Sequence, residues 1–100
     1  MIDITLEEFE SKLPTDKMLV MFYSDICEKC KIQKEILDYH KIKYYGIVCD
    51  EDPELFITKY NVDMVPEIRF YECGDMIWNR INAIRPEDLD MIKLYEKSIG

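Results

Sequence analysis

An α/β fold is what this 100-residue chain predicts, and three observations carry that reading. The run Met18-Leu19-Val20-Met21-Phe22-Tyr23 is continuously apolar, as a strand buried on both faces requires. From Cys27 onward the apolar residues change to helical spacing, and no Gly or Pro interrupts Lys31 to His40. Two later alternating runs flank Cys73-Gly74 and read as a hairpin. One hundred residues suit a single domain, 1–100, and a chain of this size buries roughly two-thirds of its unfolded surface.

The elements follow in order. Thr5 and Glu8 form a capping-box pattern ahead of Leu6, Phe9 and Leu13, so a first helix is expected over residues 6 to 13, stopped by Pro14. Lys17 to Tyr23 is the buried strand, and Ser24-Asp25 its exit. In the helix that Cys27 opens, Ile32, Ile36 and Tyr39 form one stripe. Cys30, Gln33, Leu37 and His40 form an adjoining one, and broad packing against a sheet is expected. Lys43 to Cys49 alternates as a strand. Asp50-Glu51-Asp52-Pro53 supplies N-cap chemistry and a first-turn proline for a helix ending near Asn61. Glu67 to Tyr71 and Asp75 to Ile81 are the hairpin strands, and Arg85-Pro86 opens a last helix with Leu89, Ile92, Leu94, Tyr95 and Ile99 on its apolar side.

Charge narrows the partners. The net charge of −8 argues against nucleic acid and anionic membranes. Against that background, residues 27 to 43 hold five lysines and three acidic residues, either a solvated helix face or a basic collar favouring acidic partners. The opening sequence turns acidic at once, as no secretory leader does, and no apolar run reaches membrane-spanning length. A soluble monomer in the reducing cytoplasm is therefore expected, where a CxxC is catalytic or metal-binding more often than structural.

The CxxC is Cys27-Glu28-Lys29-Cys30, placed where strand gives way to helix. A thiol at a helix N-terminus faces unpaired N–H groups and the positive end of the macrodipole, which stabilise thiolate, the species that attacks disulfides. Residues three apart in the first turn lie on one face, so the two sulfurs can meet. Cys27 is the expected nucleophile and Cys30 the resolving thiol.

Taken in order and spacing, the strand ending at Tyr23, the CxxC, Val48-Cys49-Asp50-Glu51-Asp52-Pro53, Val65-Pro66 and the Gly74 hairpin resemble the thioredoxin family. The resemblance implies a thioredoxin fold: a central mixed β-sheet flanked by helices, with a cis-proline loop at Val65-Pro66 facing the dithiol. It further implies reduction of disulfide-containing proteins, a ribonucleotide reductase among them, through a mixed disulfide. No metal or bound cofactor is implied, and electrons would come from a separate reductase, either a flavin enzyme or a glutathione system. By the same resemblance Ile26, Val65, Pro66 and Glu67 contact substrate.

Departures from the family pattern surround the dithiol. Ile26 replaces the usual tryptophan, and Glu28-Lys29 the usual Gly-Pro. Glu28 opposes thiolate and Lys29 supports it, so these residues and Asp25 are expected to tune the pair. The family's buried aspartate falls at Met21 and its partner lysine at Gly46, a coherent joint loss, since removing one alone strands a buried charge. Asp25, Glu28 and Glu67 then become candidate acceptors for the Cys30 proton. Glu35 replaces a helix proline, and Asn82 a glycine beyond the hairpin.

Three other readings compete. A glutaredoxin-like, glutathione-linked reductase shares the dithiol and proline, but no Gly-Gly-x-x-Asp-like segment follows Pro66. A redox-silent binding module or adaptor is compatible with the altered dithiol neighbourhood. A zinc site from Cys27, Cys30, His40 and either Cys49 or Cys73 has suitable ligand types but lacks a second CxxC. Cys49 reads as a core thiol and Cys73 as an exposed turn thiol.

Overall fold

A five-stranded mixed sheet organises the chain in a computed structural model that describes residues 1–100. Its elements are β1 (Ile2–Asp3), α1 (Leu6–Lys12), β2 (Lys17–Tyr23), α2 (Glu28–Tyr39), β3 (Tyr45–Val48), α3 (Pro53–Tyr60), β4 (Glu67–Glu72), β5 (Asp75–Ile81) and α4 (Pro86–Ile99). The strand order is β1-β3-β2-β4-β5. β1, β3 and β2 run parallel, while β4 and β5 join antiparallel. No helix is long and apolar enough to cross a membrane.

The alternation along β2 divides the interior. Met18, Val20 and Phe22 face α1 and α3, joining Phe9, Ile47, Phe56 and Tyr71. Leu19 and Met21 face α2 and α4, joining Leu37, Tyr44, Ile68, Phe70 and Ile92. Both faces of β2 are therefore covered, which explains its unbroken apolar sequence. On the first face Phe9 meets the rings of Phe22, Tyr60 and Tyr71 edge-on at 5.3–5.8 Å, an arrangement aromatic quadrupoles favour.

Local chemistry sets the helix ends. Thr5 Oγ1 accepts the Glu8 N–H at 3.0 Å and Glu8 returns the bond to Thr5 N–H at 3.1 Å, closing the capping box of α1. Asp52 caps α3 by accepting the Leu55 N–H at 3.2 Å, and Asn61 ends that helix in the left-handed region at φ 57°. Within the first turn of α4, buried Asp88 accepts from Arg85 N–H and from Arg80, each at 2.8 Å. Burial alone would raise the Asp88 pKa, but these donors outweigh it and hold the carboxyl below its ordinary value.

Four features differ from the sequence reading, the first being that Leu94 and Ile99, expected on the apolar side of the last helix, are exposed. β1 has no sequence signal: two residues carry no periodicity, and the strand exists through its bonds to β3, from Ile2 N–H to Tyr44 C=O and from Ile4 N–H to Gly46 C=O. α2 buries Cys30, Gln33 and Leu37, whereas Ile32 and Tyr39 are exposed, so one stripe packs and the other faces solvent. His40 is not a packed inner residue but the C-cap of α2, half-buried with its ring edge-on to Tyr39 at 5.2 Å.

Candidate active site

Cys27 is the N-cap of α2, with extended backbone that turns its sulfur back over the first turn. Its Sγ accepts the Cys30 N–H at 3.1 Å, one of the amides the helix cannot satisfy internally. The approach is fixed by its own backbone: Cys27 N–H donates to Ser24 C=O at 3.2 Å, and Asp25 N–H donates to the Asp50 carboxylate at 2.9 Å. Asp50 is held below the usual carboxylate range by the Ser24 hydroxyl and the Asp25 amide.

Opposite Cys27 lies the loop before β4. The Val65–Pro66 peptide is cis, and Val65 C=O lies 3.9 Å from Cys27 Sγ. Neither the N–H nor the C=O of Val65 bonds to another backbone group. Pro66 C=O, by contrast, accepts the Asn82 N–H at 2.8 Å. Asn82 sits at φ 68°, a conformation in which Asn is among the better-tolerated non-glycine residues.

Cys30 is only 2% exposed. Burial, then the hydrogen bond its S–H gives to Cys27, pushes its thiol up to about 12. It shares a cavity of about 260 Å³ with Met21, Tyr23, Asp3, Asp25 and Lys34. Met21 pairs across the sheet with Gly46, whose open side is filled by the Met1 thioether. Both positions where the family keeps a buried ion pair are thus lined by thioethers.

The cavity sorts the expected proton acceptors. Asp25 shares it with Cys30, and so does Asp3, which accepts from the Tyr23 hydroxyl at 2.7 Å and which sequence reasoning missed. Glu28 is exposed and paired with Lys31 at 3.3 Å.

Glu67, expected both as a substrate contact and as an acceptor, is neither in this arrangement. It is 2% exposed and points to the α1/α3 face, the opposite face from Met21. Arg69 grips both its oxygens at 2.7 and 3.1 Å, and Asn79 adds a bond at 3.1 Å. Residues two apart on a strand share a face, so Glu67, Arg69 and Tyr71 align, with Arg69 also reaching the Tyr71 hydroxyl at 2.8 Å.

The remaining candidates separate in space. Ile26 is 89% exposed beside the nucleophile, and Lys29 is exposed on the first turn. Lys31 and Lys34 are matched by Glu28 and Asp38, while Lys41 and Lys43 lie past the far end of α2, so no basic collar surrounds Cys27. His40 and Cys27 cap opposite ends of α2, about 20 Å apart at 1.5 Å per residue, too far to share a zinc ion. Cys49 is buried, its thiol also pushed up to about 12 by burial, and Cys73 is exposed in the hairpin at φ 50°.

Access and protonation predict a labelling pattern. Brief iodoacetamide treatment of the reduced protein at pH 7 is expected to modify Cys27 and Cys73 and spare Cys30 and Cys49, as read by peptide mass spectrometry. At a pKa of about 12 the thiolate fraction of the buried pair is on the order of 10⁻⁵ at that pH. Early labelling of Cys30 would reverse the assigned roles.

Comparison with known proteins agrees with this geometry. The chain is similar to the thioredoxin of Malassezia sympodialis, with a TM-score of 0.76 at 16% identity over 96% of this chain and 91% of that one. Chlamydomonas reinhardtii thioredoxin f2 gives 0.77 at 16% identity, covering 95% of each chain. Fasciola hepatica thioredoxin gives 0.71 at 17%, covering 95% of this chain and 99% of that one. At these identities the structures speak for the fold. The family model described as Thioredoxin matches residues 1–93 and takes in the Cys27–Cys30 pair, the proline loop and the hairpin: the chain belongs to the thioredoxin family of thiol-disulfide oxidoreductases.

Proposed function

We propose that the protein reduces disulfides in other proteins, with Cys27 as nucleophile and Cys30 as resolving thiol. The observation that carries this reading is the position of Cys27 Sγ, between the Cys30 N–H and the otherwise unpaired backbone of Val65. An extended substrate segment can bond to that N–H and C=O and so present its sulfur to Cys27. Exposed Ile26 extends the contact surface, and Pro66, buried, shapes the loop beneath it.

Cys27 thiolate attacks one substrate sulfur, forming a mixed disulfide and releasing the other substrate sulfur as a thiolate that takes up a proton. Cys30 then loses its proton and attacks Cys27 Sγ, closing the Cys27–Cys30 disulfide and releasing the second substrate thiol. Two electrons pass to the substrate. Losing the charge on Cys27 removes one of the influences that keep Cys30 protonated, so resolution follows capture. Its proton leaves into the cavity that Asp3 and Asp25 line. A separate flavin- or glutathione-dependent reductase in the cytoplasm returns the electrons.

The test is insulin reduction driven by dithiothreitol. Precipitation of the freed B chain should be accelerated well above the dithiothreitol background. A rate equal to background would favour the adaptor reading.

A further inference from the structure

A groove of about 250 Å³ runs from Val65 towards the start of α3. Pro53, Ile57, Val62 and Val65 give it an apolar floor, and Asp50 and Asp63 stand on it. No Lys or Arg lines it. Asp25, Glu51 and Asp52 are exposed nearby in sequence, adding to the negative field. Lys31 and Lys34 of α2 line the separate cavity on the Cys30 side and are matched by Glu28 and Asp38, and Lys29 stands exposed on the first turn outside the groove. The Val65 N–H, without a backbone partner, and its C=O, met only by Cys27 Sγ, lie beside the same groove, which suits an extended chain rather than a compact ligand.

We propose that this groove makes the protein selective for disulfides whose attacked cysteine is flanked within two residues by Lys or Arg. The proposal rests on the reductase reading and adds its substrate class. A long basic side chain fits both parts of the groove. Its methylene stem lies along Ile57 and Val62, and its charged end reaches Asp50 or Asp63. A Glu or Asp at the same place meets like charge over the same floor. Because Asp50 and Asp63 are exposed, the discrimination acts through encounter and orientation and is screened by salt.

Three disulfide peptides, identical except for Lys, Gln or Glu on either side of the cysteine, test this. Each rate is divided by the peptide's own rate with dithiothreitol, which removes the intrinsic effect of flanking charge on the disulfide. At low ionic strength the normalised kcat/KM is expected to be about tenfold higher for the Lys peptide than for the Glu peptide, with Gln between them. In 0.5 M salt (about a 4 Å screening length) the ratio should fall to within about twofold. Asp63→Lys should narrow or invert it, and the Gln peptide reports whether that variant still turns over. Equal normalised rates at low salt, or a preference for the Glu peptide, would overturn the selectivity and leave the reductase reading standing. No reduction of any peptide above the level of Cys27→Ser would overturn both.

Discussion

Cys30→Ser is expected to stop turnover at a covalent adduct between Cys27 and substrate. Incubated with a disulfide protein and analysed without reductant, it should show a mass increase equal to one substrate chain, removed by dithiothreitol. Cys27→Ser should show none. Steady-state reduction should fall by at least about 10³-fold in either variant, as when one member of a catalytic unit is removed. The asymmetry has a structural source. Cys27 is half-buried at the helix cap, next to the open backbone of Val65. Cys30 is enclosed, with its thiol pushed up to about 12, so it can receive a disulfide from Cys27 far more readily than it can attack one in solution. Serine keeps the size of Cys30 and removes only the sulfur that closes the bond. An adduct formed by Cys27→Ser, or undiminished turnover by Cys30→Ser, would require a different nucleophile.

The chemistry of the dithiol was readable because its determinants are local. A buried strand, a two-cysteine spacing and an uninterrupted helix place a thiol at an N-cap whatever the rest of the chain does. Residues that support it from a distance were not readable. Asp50 holds the Asp25 amide across 25 positions, Asp3 meets Tyr23 across 20, and Asn82 holds the Pro66 carbonyl from beyond the hairpin. Asp50 was visible only as part of a helix-capping run, and a two-residue β1 gave no signal that Asp3 would lie near the site. In α2 the more apolar of two stripes misled: Ile32 and Tyr39 face solvent, and polar Gln33 packs inside with its carbonyl oxygen taken by the Ile84 N–H at 3.3 Å. Glu67 carries a cue in its own sequence neighbourhood. Spacing of Glu67, Arg69 and Tyr71 at every second residue of a strand puts an acid, a base and a hydroxyl on one face, which describes a buried network better than a substrate contact.

That network gives the largest expected effect on stability. Arg69→Met should destabilise the fold by about 3–5 kcal/mol, because it leaves the Glu67 carboxylate buried without its cation while Asn79 supplies only one neutral donor. For a domain with a total stability of about 5–15 kcal/mol this is a large share, and the urea midpoint should drop by roughly 2 M or more. The paired variant Glu67→Gln/Arg69→Met should recover more than half of the loss, since most of the penalty comes from the stranded charge rather than from losing an attraction. Part will not return: the Tyr71 hydroxyl loses its Arg69 partner, and the Arg69 guanidinium lies 5.0 Å over the Phe22 ring, a contact worth about 0.5–2 kcal/mol. Function should follow the same order. Glu67 directly follows Pro66, so loosening the start of β4 loosens the backbone that faces Cys27, and hydrogen exchange in β4 should rise in Arg69→Met and recover in the pair. If Arg69→Met instead unfolds within about 1 kcal/mol of the parent protein, water reaches Glu67, and the ion pair does not anchor the loop.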